Sequence, residues 1–155
     1  MEILIATNKD FETVKYIIHT TIKEIYPQYY PKGVVEIFLS YHSSQNIKKA
    51  LLNNEIFLLS DEKTIIGTGS INNNEICRVF ILPAQQKKGY ASALMTTLEN
   101  LIFKSYDEIF LDSSLPAYNL YLNRGYKPIS FHKVLTKNQH YLCYNTMKLE
   151  KIKSR

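Results

Sequence analysis

The residues Val79, Phe80, Ile81, Leu82, Pro83, Ala84, Gln85, Gln86, Lys87, Lys88, Gly89, Tyr90 and Ala91 read as a strand, a proline stop, a polar loop and a helix start. A loop of this kind presents free backbone N–H groups at the positive end of the helix dipole, which makes a diphosphate cradle. Gly89 lets the backbone approach an anion with no Cβ in the way, and the small Ala91 permits close contact one step later. Taken alone, the same pattern also describes a helix cap with no ligand. Cys77 and Cys143 lie far apart with no CxxC pair, so neither a metal site nor a disulfide framework is expected, and both read as buried packing residues. His19, His42, His132 and His140 lack metal-ligand spacing, so no metal is expected.

The elements that must position this loop can be read from periodicity. Glu2 to Ala6 is strand-like, and Thr7 with Asp10 resembles a capping box for a helix whose apolar face is Phe11, Val14, Ile18, Ile22 and Ile25. Pro27 and Pro31 break that pattern and leave a loop holding Tyr26, Tyr29 and Tyr30. Further helices are expected over Gly33 to His42 and Gln45 to Asn53. Glu55 to Ser60, Thr64 to Ile71 and Glu75 to Leu82 read as three consecutive antiparallel strands joined by polar turns. From Lys87 to about Lys104 the period becomes helical, with Ala91, Leu94, Met95, Leu98, Leu101 and Ile102 on one face. Glu108 to Leu111 is a short strand, Pro116 opens a helix reaching Asn123 with Gly125 placed to end it, and Tyr126 to Leu135 and Tyr141 to Leu149 are closing strands.

Gln86, Lys87, Lys88, Gly89, Tyr90 and Ala91 match the [Q/R]xxGx[G/A] signature of GNAT acetyltransferases, and the preceding strand and Pro83 agree. A second block, Ala117, Leu120, Tyr121, Gly125 and Tyr126, resembles that family's AxxFYxxxGF pattern. Ala91 stands where Gly is commoner, and Leu120 and Tyr126 where Phe is frequent. The resemblance spans essentially the whole chain. It implies an α/β (α+β) fold, with a mixed, mostly antiparallel central sheet of about six to seven strands flanked by helices, in one domain over residues 1–155.

The resemblance also implies acetyl-coenzyme A as cosubstrate, held by Phe80, Ile81, Gln86, Lys87, Lys88, Gly89, Tyr90, Ala91, Ser92 and Asn119. It further implies direct attack by an amine acceptor on the thioester in a ternary complex. Tyr121 is then the candidate general acid for the departing thiolate, although without the resemblance it reads as core. Glu75 is the candidate general base, and a strand-end glutamate in solvent is the alternative. Backbone N–H groups near Phe80 and Ile81 would polarise the carbonyl. In this family the segment after the first helix walls the acceptor pocket, which makes Tyr26, Tyr29 and Tyr30 candidate substrate contacts. A homodimer is compatible with the resemblance.

Composition bounds the remaining classes. The 155 residues carry 19 Lys and Arg against 14 acids, a formal charge of +5, which suits an anionic cofactor and also nucleic acid. The basic residues are scattered, including Lys148, Lys151, Lys153 and Arg155, with no basic block interleaved with aromatics, so a nucleic-acid partner is not expected. Met1 to Ala6 has no basic leader, and no run of about 18 apolar residues occurs. A cytoplasmic enzyme without a membrane partner is therefore expected. The rival reading is a GNAT-fold module that binds or senses acyl-coenzyme A without turnover.

Overall fold

The computed structural model describes residues 1–153, so Arg155 of the basic tail lies outside them. Strand β1 (Glu2–Ile5) leads into the expected capping box, in which the Thr7 N–H donates to Asp10 Oδ2 at 2.8 Å. Helix α1 (Phe11–Ile25) follows, its buried side being Val14, Ile17, Ile18, Thr21 and Ile22. Each fully buried Ile here contributes roughly 2 kcal/mol of apolar burial. The segment read as a Tyr loop is a short 3-10 turn, Tyr26–Gln28, and Tyr26 and Tyr30 are core residues. Helices α2 (Lys32–Tyr41) and α3 (Ser44–Leu52) come next, the latter capped by Ser43 Oγ, which accepts from the Asn46 N–H.

Strands β2 (Ile56–Asp61), β3 (Thr64–Asn72) and β4 (Glu75–Ile81) form the expected antiparallel meander. Helix α4 spans Tyr90–Ile102 and β5 Glu108–Ser113. A 3-10 turn at Leu115–Ala117, carrying Pro116, precedes α5 (Tyr118–Asn123), and Gly125 at φ +96° lies just beyond the helix end, as expected. Strands β6 (Lys127–Leu135) and β7 (Tyr141–Glu150) close the chain as a hairpin.

Among the described residues the sheet has seven strands in the order β1-β2-β3-β4-β5-β7-β6, and β4 with β5 is its one parallel pair. Alternating side chains build two cores, one on each face. Ala6, Ile56, Leu58, Phe80 and Leu142 pack beneath α1, α2 and α3. Leu59, Ile66, Ile76, Ile109, Leu111 and Met147 pack against Leu94, Met95, Leu98 and Ile102 of α4. In β2, the neighbours Leu58 and Leu59 therefore serve opposite faces, as the pleat requires. The two cysteines depart from expectation: Cys77 and Cys143 are only partly buried, and Cys77 borders the cleft described below.

The second face also holds a buried ionic network. Glu99 of α4 accepts from Arg124 Nε at 3.0 Å and Nη2 at 2.5 Å, and from the Tyr126 hydroxyl at 3.0 Å. This ties the end of α5 to the middle of α4. Replacing Glu99 by Ala leaves the Tyr126 hydroxyl without its partner while Arg124 keeps its bonds to Ser92 and Thr96, and losing these charge-assisted hydrogen bonds is expected to cost about 2 kcal/mol. Urea unfolding of Glu99→Ala should show that loss, with the far-ultraviolet spectrum unchanged in the absence of denaturant.

Candidate active site

Strand β4 changes character part-way along. Ser70 pairs with Cys77 and Thr68 with Phe80, so Arg78 and Val79 together face Gly69 alone. This is a β-bulge, and Arg78 sits in it at φ +52°, a left-handed conformation that costs a non-glycine residue about 1 kcal/mol. Thr68, fully buried, holds the bulge by donating from Oγ1 to the Arg78 carbonyl at 2.9 Å. The bulge bends β4 away from β5. The two strands share one register pair, Glu75 opposite Phe110, reinforced by the Phe110 N–H to the Asn74 carbonyl at 3.0 Å. Beyond that point the β4 edge carrying Val79, Phe80 and Ile81 lines an open cleft of about 760 Å³.

The far end of the cleft is the loop after Pro83. Here the expectation that the helix begins at Lys87 needs correction. Lys87 lies at φ +62° and Gly89 at φ +85°, so residues 87–89 are loop and α4 starts at Tyr90. The first closed helical bond runs from the Ala93 N–H to the Gly89 carbonyl at 3.1 Å, which leaves the first-turn N–H groups for a ligand. No atom lies within 4 Å of where a Gly89 Cβ would stand, so the cradle is open at that point. Gln86, Lys87, Gly89, Tyr90, Ala91 and Ser92 all border the cleft with Phe80 and Ile81.

Several of these side chains also hold the loop in shape. Gln86 Nε2 donates to the Ile81 carbonyl at 3.0 Å, pinning loop to strand. The Tyr90 hydroxyl donates to Asp61 Oδ2 at 2.5 Å, tying the start of α4 to the end of β2. Ser92 Oγ accepts from Arg124 Nη1 at 2.7 Å. Lys88 and Asn119 are exposed and stand outside the cleft lining, and Lys88 Nζ donates to Gln85 Oε1.

Tyr121 lines the same cleft from α5, with 6 % of its surface exposed and no hydrogen-bond partner among the described residues. Its pKa is raised far above the ordinary phenol value, first by burial and then by Tyr26 and Cys77 nearby, so it keeps its proton at every working pH. Glu75 stands where β4 and β5 part, its pKa raised first by burial of part of its side chain and second by the neighbouring Asp112 carboxylate. The chain thus places a proton-holding phenol and a basic carboxylate on one cleft. Of the tyrosine cluster, Tyr26 and Tyr29 line it. Tyr30 does not: its hydroxyl accepts from the Leu115 N–H at 2.7 Å and donates to the Cys143 carbonyl at 3.4 Å, which makes it a tie between layers.

Sequence reasoning missed His42, Arg78, Asp112, Tyr41 and Tyr144, all of which border the cleft. Arg78 carried no signal, because nothing in a strand-like run announces a bulge. Asp112 could have been found as the polar residue between Leu111 and Ser113, both buried on the other face. His42 follows α2 and packs edge-on against Phe80 at 5.3 Å. Burial, followed by the Arg78 and His19 charges, pushes its pKa down to about 3, so its ring is neutral at ordinary pH.

The acetyltransferase (GNAT) domain family matches residues 25–151. The chain belongs to the GNAT acetyltransferase family. The structure is similar to a GCN5-related N-acetyltransferase from Rhodopseudomonas palustris, with a TM-score of 0.85 at 17 % identity over 96 % of this chain and 94 % of that one. It is also similar to the PaiA N-acetyltransferase of Thermoplasma acidophilum, solved with coenzyme A, with a TM-score of 0.74 at 19 % identity over 96 % of this chain and 98 % of that one. An N-acetyltransferase from Staphylococcus aureus matches with a TM-score of 0.68 at 17 % identity over 96 % and 97 %. At such identities these likenesses concern the fold, and the seven-stranded mixed sheet is the GNAT sheet. Among curated proteins no sequence match reaches significance. Among the described residues, no helix of this GNAT chain is long and apolar enough to cross a membrane, and no three His, Cys, Asp or Glu side chains are grouped to hold a metal.

His42 generates a pH prediction. Its folded pKa lies below the unfolded value near 6.5, so the unfolded chain binds the extra proton, and this stability is present above pH 6.5 and lost progressively toward pH 3. Urea midpoints measured from pH 7 to pH 4 should therefore fall less steeply for His42→Gln than for the unaltered chain. Parallel curves would remove the buried neutral imidazole from the account.

Proposed function

We propose that this GNAT chain, over its whole length, is an N-acetyltransferase that moves an acetyl group from acetyl-coenzyme A to a primary amine of a small molecule or peptide, by direct attack in a ternary complex. The observation that carries the reading is the meeting, in one cleft, of an open helix-start cradle and a buried phenol with its proton locked on. The cradle fits a diphosphate: free first-turn N–H groups, Lys87 beside them, and open space at Gly89.

Acetyl-coenzyme A supplies an acyl thioester, and the chain's own residues do the rest. The first-turn N–H groups of α4 bind the diphosphate. The unpaired edge of β4 offers N–H groups that orient the thioester arm and polarise the carbonyl. Glu75 removes a proton from the acceptor ammonium, directly or through water, and its raised pKa brings it nearer the operating pH. Tyr121 gives its proton to the departing sulfur, and burial keeps water from competing for that step.

Calorimetric titration with acetyl-coenzyme A, followed by thiol release across a panel of amines, tests the reading. Binding should be lost in Gly89→Glu, where a side chain and a negative charge enter the cradle at φ +85°. Tyr121→Phe should keep cofactor binding and lower thiol release by about 10²-fold. Glu75→Gln should lower it similarly and abolish the acid limb of the pH profile, which lies above the ordinary carboxylate range because folding raises this pKa. Binding with no thiol release from any amine would instead make the chain a coenzyme A-binding module.

A further inference from the structure

The cleft is electrically uneven. Lys87 stands at its cradle end, while Glu75 and Asp112 stand at the opposite end, where β4 and β5 part. Neither carboxylate has a Lys, Arg or His within ion-pair distance among the described residues, although the chain carries 19 Lys and Arg against 14 acids. Of the cations on the adjoining strands, Arg78 has its Nη1 3.9 Å from Glu55 Oε2, and Lys148 pairs with Glu108 and Glu150, so each is engaged by its own carboxylate. Asp112 is held in place by Thr146, whose hydroxyl donates to Oδ1 at 2.7 Å and accepts from His132 Nε2 at 2.8 Å, and His132 in turn stacks on Tyr144 with ring centroids 4.5 Å apart. Oδ2 of Asp112 has no partner among the described residues. Tyr41 and Tyr144 border the same end, close to Asp112.

We propose that Asp112 is a specificity residue that anchors a second cationic group on the acceptor, so that the preferred acceptors are diamines, with Glu75 facing the ammonium that reacts. Resting on the transferase reading, the inference goes beyond it by naming the acceptor class. Two carboxylates serve different ends here. One must give up its negative charge when it takes the reacting proton, so a single carboxylate cannot both deprotonate one nitrogen and keep a second one charged and bound. Asp112, held by Thr146 on an exposed strand position with Oδ2 unengaged among the described residues, is left to face the second nitrogen. The rings of Tyr41 and Tyr144, which border this end, supply apolar surface for the methylene chain between the two nitrogens. A carboxylate-bearing amine would be repelled by the same pair.

The test compares butylamine with 1,4-diaminobutane in the unaltered protein and in Asp112→Asn, whose Oδ1 still accepts from Thr146. In the unaltered protein the diamine should have the higher kcat/KM, by about tenfold, and Asp112→Asn should reduce that ratio about fivefold or more. Using the ratio cancels any effect of Asp112 on Glu75, because that effect acts equally on both amines. Equal kcat/KM values for the two amines, or a ratio unmoved by Asp112→Asn, would overturn the proposal while leaving the transferase standing. A thermal shift of the coenzyme A-loaded protein by 1,4-diaminobutane, compared in the two proteins, gives a readout without turnover. A diamine-specific shift that is lost in Asp112→Asn, without thiol release, would support the cation site and count against the transferase. No shift and no diamine preference would sink the cation site.

Discussion

Two parallel strands that keep only one register pair leave a row of backbone N–H and C=O groups facing a gap, and a folded chain rarely tolerates such groups unpaired in a closed interior. Here β4 leaves β5 after Glu75 and Phe110, and the departure is built in by the bulge at Arg78 and the buried Thr68 that donates to its carbonyl. The left-handed backbone at Arg78 costs energy and does nothing for the core. Two hydrophobic cores, one on each face, carry that cost. The free β4 edge, the floor made by Tyr121 and the wall made by Tyr26 and Phe80 all exist because the strands part at this point.

The parting also creates a gradient of water exposure along one short path. Tyr121 lies deep, beside Tyr26 and Cys77, where an anionic phenolate would be strongly penalised. Glu75 lies at the mouth, where burial is partial and a second carboxylate adds its repulsion. Both environments raise a pKa, but with opposite chemical results: the phenol holds its proton more firmly, and the carboxylate becomes a better proton acceptor. On the proposed mechanism acid and base are thus assigned by depth in one cleft.

Much of this order was legible because it rests on periodicity and punctuation. The 3.6-residue pattern of Leu94, Met95, Leu98 and Ile102, the stops at Pro27, Pro31 and Pro83, and Gly125 after α5 each act within a few residues, so sequence alone reveals them. The cradle was legible in position but not in form. Lys87 belongs to the loop because its left-handed backbone is imposed by the turn, and Lys has no propensity that would announce it. His42, Asp112 and Tyr144 were invisible as a group because they lie on α2's end, β5 and β7, brought together only by the sheet order β4-β5-β7. The buried ties of Tyr30 were hidden for the same reason: its partners Leu115 and Cys143 are 85 and 113 positions away.

The polarity of the cleft follows from the same strand order. The crossover from β4 through α4 to a parallel β5 puts the helix start, with its free N–H groups and Lys87, at the carboxyl end of β4. Glu75 opens β4, and parallel pairing brings the later part of β5, with Asp112, alongside it. A basic cradle at one end and carboxylates at the other are therefore consequences of one topological step. On the proposed function, an elongated anionic cofactor and a cationic acceptor would be sorted to opposite ends of this cleft by the field before any side chain makes a specific contact, which would fix the direction of attack along the gap between the strands. The chain's net charge of +5 would by itself repel cations, so on the proposed reading the local reversal of sign around Glu75 and Asp112 is what would give a cationic acceptor a place to bind.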